Sequence, residues 1–270
     1  MAVARSNAFV IGLTVRQAAV SSLALVAVIT LGWFFTVRQA EGIDGAMAGT
    51  MGMDLVPFLV MWLPMVVAMM FPTVGPSAVT AVHGERTGMA LRAFTARTAG
   101  FLASYLVVWM LFGLAVYVLL DGAAALIAIP PENAKWVAAG IYAVAGLYQF
   151  TPAKDRCRAR CQSTRCADVD DSSTHAGRFG RTVRAGALHG LSCIGCCVAF
   201  MVVLIAVGMT NFAAMAALTI VIFVERHVFR RGAIVSRLAG VLLLLAAALT
   251  PFVGWLHPGL PGPDAGDMPM

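Results

Sequence analysis

The sequence predicts an all-α protein, a polytopic bundle of about seven transmembrane helices with its N-terminus inside and its C-terminus outside. Three observations predict this architecture. Hydrophobic residues make up 60% of the 270 residues and charged residues only 12%, a composition typical of membrane proteins rather than soluble domains. Apolar stretches long enough to cross a bilayer recur along the chain. Lysine and arginine are concentrated on one side of these stretches.

Seven apolar stretches are candidate membrane spans. They are residues 18–37, 55–76, 99–120, 134–150, 187–207, 209–224 and 233–256. A helix needs about 20 residues to cross the hydrocarbon core, so the fourth and sixth stretches are short and are expected to lean on neighbouring helices. The first is too long for a signal-peptide core and has no small-residue cleavage site after it, so we expect it to stay as an anchor.

The fifth and sixth stretches meet at the turn-like segment Gly208–Asn211. Glycine and asparagine are common turn residues because both tolerate a left-handed backbone. The junction therefore predicts a tight helical hairpin, in which Asn211 caps the following helix.

The basic residues predict the orientation. With the N-terminus in the cytoplasm, Arg38 and Lys135 are the only two of the 19 Lys and Arg residues outside. This bias predicts an N-in, C-out protein of the bacterial inner membrane. The net charge of +6 then reflects membrane topology, so the expected surroundings are the lipid bilayer and nucleic acid is not an expected partner. The predicted regions are a cytoplasmic segment (1–17), a transmembrane domain (18–256) with a long cytoplasmic loop (151–186), and a flexible outer tail (257–270).

A cysteine-rich motif, HGLSCIGCC, opens the fifth span. His189, Cys193 and Cys197 recur every four residues and share a helix face, which Cys196 joins. The cytoplasm keeps thiols reduced, so a metal or redox site is favoured over disulfides, although thiols also simply pack in membrane helices. Adjacent cysteines on one helix point about 100° apart and make a poor tetrahedral cage. Soft, low-coordinate Cu(I) is therefore the preferred metal and zinc the alternative.

A stripe of methionines runs along one face of the second span. Met61, Met65 and Met69 recur at i, i+4 and i+8, with Met70 beside the last. Thioethers are soft ligands, but such a stripe is also ordinary core packing. Two prolines in the same helix leave carbonyls free, which a membrane helix tolerates around an internal site. We expect the Met61/Met65/Met69 face to meet the cysteine motif across a helix interface.

Three further residues are candidate ligands. Cys157 and Cys161 lie in the polar loop after the fourth span and could fold towards the Cys193 motif. Their spacing does not match the usual paired zinc patterns. Glu225 ends the sixth span, where a carboxylate is either an interface residue or a ligand or proton relay.

Three motifs in fixed order carry a resemblance. They are AMMFP (68–72), GLYQFTPAKDRCRARC (146–161) and HGLSCIGCC (189–197). Over about residues 55–230 the chain resembles the bacterial family of predicted metal-binding integral membrane proteins, a domain-of-unknown-function family. The resemblance implies a membrane metal protein that forms a complex with a small soluble or membrane partner. The chain departs from the family pattern at Met209-Thr210-Asn211, which replaces an adjacent Met-Asn pair, and at Arg226, which replaces a lysine.

These observations favour a membrane protein that transports, holds or delivers Cu(I). The main alternative is a membrane subunit of a multi-chain metalloenzyme or electron-transfer complex, and a third is a structural subunit whose cysteines only pack. The chain contains no phosphate-binding loop, so we do not expect ATP-driven pumping by this chain alone. Catalysis by the chain alone is not expected either.

Overall fold

The computed structural model describes residues 2–40, 53–83, 91–126, 133–162, 175–209, 211–227 and 232–253, and all its regular structure in these ranges is helical. The helices are α1 (Ala2–Ala40), α2 (Leu55–His83), α3 (Leu91–Leu126), α4 (Ala134–Tyr148), α5 (Pro152–Gln162), α6 (His175–Val207), α7 (Phe212–His227) and α8 (Gly232–Leu249). The all-α prediction is confirmed for this part of the chain. The predicted tail, 257–270, lies outside the described residues.

Five helices are long and apolar enough to cross a membrane, namely α1, α2, α3, α6 and α8. Helices α4 and α7 have 15 and 16 residues. They correspond to the two stretches that the sequence marks as short. The number of spans and their orientation stay predictions. The N-terminal segment 1–17 also stays a prediction as a separate region, and its residues 2–17 form one continuous helix with the rest of α1.

Helix α6 lies at the centre of the bundle. It packs most extensively against α3, and it also contacts α2, α4, α5 and α7. Helices α1 and α8 are peripheral, with α1 packed on α2 and α8 on α4 and α7. These contacts bury 56% of its apolar window, while Leu188 and Leu191 remain exposed on the other side of the helix. The cysteines of α6 lie on the buried side.

The predicted turn between α6 and α7 is confirmed. Gly208 has a φ of 99°, a left-handed conformation that glycine adopts without the steric penalty of a side chain. Asn211 Oδ1 accepts a hydrogen bond of 3.0 Å from the backbone N–H of Ala214, so Asn211 caps α7 as expected. The tight hairpin expected here is only partly formed, because beyond the turn α7 packs mainly against α8 and α2 rather than along α6.

The segment 151–186, expected as a loop, contains two helical pieces. Helix α5 begins at Pro152, since proline is well suited to the first position of a helix and ends the preceding one. Helix α6 begins at His175, well before the apolar stretch that starts at 187. The arginines between 175 and 187 place this segment outside the apolar stretch, but they do not interrupt the helix. Arginine is a good helix former, and no proline occurs in 175–207.

Candidate metal centre

Helix α6 brings three thiols into one buried group. The Sγ atoms of Cys193, Cys196 and Cys197 all lie within 4.8 Å of one another, because positions i, i+3 and i+4 share a helix face. Cys193 is completely buried and the other two are nearly so. Sulfur ligands about 2.3 Å from one metal ion lie roughly 3.8–4.6 Å apart. The three thiols, hereafter the inner thiol group, therefore fit a single metal ion with little rearrangement.

The second pair of candidate cysteines reaches the same place from α5. Cys161 is buried, and its Sγ lies 3.9 Å from Cys196 Sγ. The hydrogen bond with Cys196, together with burial, raises the pKa of Cys161. Cys157 is partly exposed and lies against the backbone of Gly195, where an added Cβ would be 2.6 Å from Cys157 Sγ. The structure thus folds α5 towards the Cys193 motif.

All four methionines of the α2 motif are buried: Met61, Met65, Met69 and Met70. The thioether of Met70 lies 3.9 Å from Cys193 Sγ. This contact comes from the residue beside the predicted stripe rather than from the stripe itself. Met69 and Met70 point about 100° apart on the helix, so the orientation of α2 decides which of the two meets the thiols.

His189 is buried one turn before Cys193 on α6. It lies outside the inner thiol group as the 4.8 Å limit defines it. Its ring packs against Phe101 and Tyr105, with centroid separations of 5.8 and 6.1 Å. Within the described part of the chain, its Nε2 has no hydrogen-bond partner. His189 therefore lies near the thiols as an aromatic neighbour of α3.

Two polar side chains contact the thiols without having been predicted to do so. The hydroxyl of Tyr105 donates a hydrogen bond of 3.1 Å to Cys193 Sγ. The Nη2 group of Arg226 donates to Cys196 Sγ at 3.6 Å, and its Nη1 group donates to Thr73 Oγ1 at 3.4 Å. A buried guanidinium favours thiolate over thiol at its neighbours. No sequence pattern pointed to Tyr105, and Arg226 stood out only as a departure from the family that the chain resembles.

Glu225 forms a buried ion pair with Lys154 at 3.0 Å and does not join the inner thiol group. The ammonium of Lys154 also donates to the Gln149 side chain and lies 4.6 Å from the centre of the Phe200 ring. The ion pair ties α5 to α7. The charge of Lys154 is therefore directed to Glu225.

Comparison with known families supports the metal-binding part of the resemblance. Residues 59–250 match the family described as PpoB2, copper chaperone. No curated protein and no solved structure matches the chain. The matched segment covers more than half of the 270 residues, and it contains the inner thiol group, both α5 cysteines and Met70. The chain therefore belongs to the PpoB2 copper chaperone family.

Proposed function

We propose that the protein is a membrane-embedded Cu(I) carrier, which holds the ion at the inner thiol group and delivers it to a partner metalloprotein. The observation that supports this most directly is the burial of three thiols within 4.8 Å of one another on one helix. The family assignment and this group together fit copper handling.

The donor set favours Cu(I) over harder ions. The inner thiol group offers sulfur alone, and the two further sulfur donors next to it, the Met70 thioether and the Cys161 thiol, each lie 3.9 Å from one of its sulfur atoms. Thiolates and thioethers prefer soft Cu(I), whereas Mg²⁺ and Ca²⁺ require oxygen ligands. Zinc would need a fourth ligand to close a tetrahedral site, while two or three sulfur atoms satisfy Cu(I).

The charge around the group also suits Cu(I). Two thiolates with one Cu(I) ion carry a net charge of −1, which would be costly to bury alone. The guanidinium of Arg226, at 3.6 Å from Cys196 Sγ, supplies the balancing positive charge. The positive charge of Arg226 therefore offsets the cost of burying a second thiolate inside an apolar bundle.

The apolar helices and the distribution of basic residues support a location in a membrane. Five helices have the length and composition of membrane spans, and α4 and α7 complete the proposed seven crossings. We place the N-terminus and the α5 side in the cytoplasm of a bacterial cell and the C-terminus outside the inner membrane. The thiols then face the reducing compartment, in which Cu(I) and free cysteines are both maintained.

Reporter fusions test this topology. A fusion after residue 165 should report the cytoplasm and a C-terminal fusion should report the opposite side, because the proposal places three spans between them. Finding both on the same side would contradict the seven-span arrangement.

Copper binding is tested on the purified full-length chain in detergent under anaerobic conditions. The parent protein should bind one Cu(I) ion per chain against a competing chelator. Replacing Cys193 and Cys197 together by serine should weaken binding by about a hundredfold or more, since serine offers a hard oxygen in place of soft sulfur. Ala199→Ser is the matched control, because it adds a buried hydroxyl to α6 but leaves every thiol in place. A parent protein without bound copper would refute the proposal.

A further inference from the structure

The cysteines of α5 extend the inner thiol group towards the protein surface. Cys157 is partly exposed, Cys161 is buried, and Cys193 is completely buried. The sulfur of Cys161 lies 3.9 Å from that of Cys196, which lies 3.5 Å from that of Cys197. The thiols thus form a series of decreasing exposure, and the sulfurs of Cys161, Cys196 and Cys197 are close enough for neighbours to share one metal ion. Cys157 precedes Cys161 by four residues, so the two lie on the same face of α5.

Specific contacts hold α5 against α6 at this point. The buried Lys154–Glu225 ion pair anchors the first turn of α5 to α7. On α6, Gly195 lacks the side chain that would collide with Cys157 Sγ, and its carbonyl accepts a hydrogen bond from the Tyr148 hydroxyl. Because Gly195 has no side chain, the thiol of Cys157 can approach the backbone of α6 beside Cys196.

The outer surface of α5 is positively charged. Arg156 and Arg160 are exposed on the helix that carries both cysteines. A positive surface raises the local concentration of anionic ligands and speeds their encounter. Complexes of Cu(I) with anionic thiols, such as glutathione, have the charge that this surface attracts.

We propose that Cys157 and Cys161 form an outer copper position, through which Cu(I) passes from a soluble thiol complex to the inner thiol group. This inference rests on the proposed function of the inner group. Cys157 takes the ion from the soluble thiol, and Cys161 passes it to Cys196 of the inner thiol group.

Each transfer is a ligand exchange on Cu(I). A new copper–sulfur bond forms to the incoming cysteine before the bond to the departing sulfur breaks, so the ion always keeps sulfur ligands. The incoming thiol gives up its proton and the departing thiolate takes up one. The charge of the complex is therefore unchanged, and copper stays Cu(I) throughout.

The rate of copper loading reports on the α5 cysteines, whereas the final copper content reports on the inner thiol group. Apo protein in detergent is mixed with Cu(I)–glutathione under anaerobic conditions, and the ion counts as loaded once it resists a brief challenge with a strong Cu(I) chelator. Cys157→Ser should slow loading about tenfold, while the final copper content stays the same. The matched control is Ala159→Ser, which changes an exposed residue between the two cysteines. This variant should load at the rate of the parent protein.

A second variant keeps every thiol. Gly195→Ala places a Cβ 2.6 Å from Cys157 Sγ, so it should displace Cys157 and slow loading in the same way as Cys157→Ser. Helix content and gel-filtration profile confirm that each variant is folded.

Three results would overturn the relay. Loading at the parent rate in both Cys157→Ser and Cys161→Ser would show that α5 is not on the route. Loss of the final copper content in Cys157→Ser would make Cys157 a ligand of the resting site instead. A Gly195→Ala variant as fast as the parent would show that the position of Cys157 does not matter. A parent protein that binds no Cu(I) would refute the proposed function itself, which distinguishes that failure from the other three.

Discussion

Helices α2 and α8 are both apolar enough to cross a membrane, but they occupy different environments. In α2, 56% of the apolar window is buried inside the protein, against 17% in α8. The buried helix carries Met70 beside the thiols, whereas the peripheral helix presents leucines such as Leu242 to the outside. Hydropathy measures how well a helix tolerates lipid. Its neighbours decide whether its side chains form a site.

The same contrast holds between α6 and α1. More than half of the α6 window is buried, and it carries the inner thiol group, while only 11% of the α1 window is buried. Soft donors are thus concentrated on the central helices, where protein excludes both water and lipid. Such enclosure protects thiols from oxidation and makes direct exchange with solvent slow.

The largest expected effect of this contrast is on stability. Trp62→Ala on α2 should lower the free energy of unfolding by about 3–5 kcal/mol, because the ring stacks on Phe58 and its Nε1–H donates to the Trp109 carbonyl at 3.1 Å. Leu242→Ala on α8 should change it by less than about 0.5 kcal/mol, since Leu242 is 65% exposed. Denaturant unfolding in detergent, followed by circular dichroism, measures both. Equal losses would show that α8 is enclosed by a further chain.

A second prediction compares two ion pairs of α5. Lys154→Met should cost about 3 kcal/mol, since it removes the ammonium that lies 3.0 Å from the buried carboxylate of Glu225. The double change Lys154→Met with Glu225→Leu should recover most of that loss, because neither charge of the pair then has to be buried. The control is Arg158→Ala, which removes a more exposed pair with Asp155 and should cost no more than about 1 kcal/mol. The same unfolding assay applies. A double variant as unstable as Lys154→Met would contradict the electrostatic explanation.

The smallest expected effect distinguishes the methionines of α2. Met70→Leu removes a thioether 3.9 Å from Cys193 Sγ and should weaken Cu(I) binding by about tenfold, or 1.4 kcal/mol. Met61→Leu, nine residues earlier on the same buried helix, should leave the affinity close to that of the parent. Chelator competition measures both constants. A greater loss in Met69→Leu than in Met70→Leu would favour the methionine stripe over the Met70 contact.

Much of the fold could be predicted because the signals are local. Apolar length and helical period identify the long helices, and Gly208 with Asn211 marks the turn before α7. The early start of α6 at His175 was missed, since apolar length detects the part of a helix that suits a membrane and not the helix itself. Helix α5 within the expected loop was missed for the same reason, because it is a polar helix.

The sequence by itself determined the inner thiol group, because Cys193, Cys196 and Cys197 lie on one face of one helix whatever surrounds it. Only the tertiary structure decided which distant groups meet these thiols. Met70 and Cys193 are 123 positions apart in the chain, and Tyr105 and Cys193 are 88 apart. Helical period specifies the face on which a residue lies but not the rotation of that helix against its neighbours. That rotation depends on packing along the whole interface, and it selected Met70 as the methionine in contact with the thiols and Lys154 as the partner of Glu225.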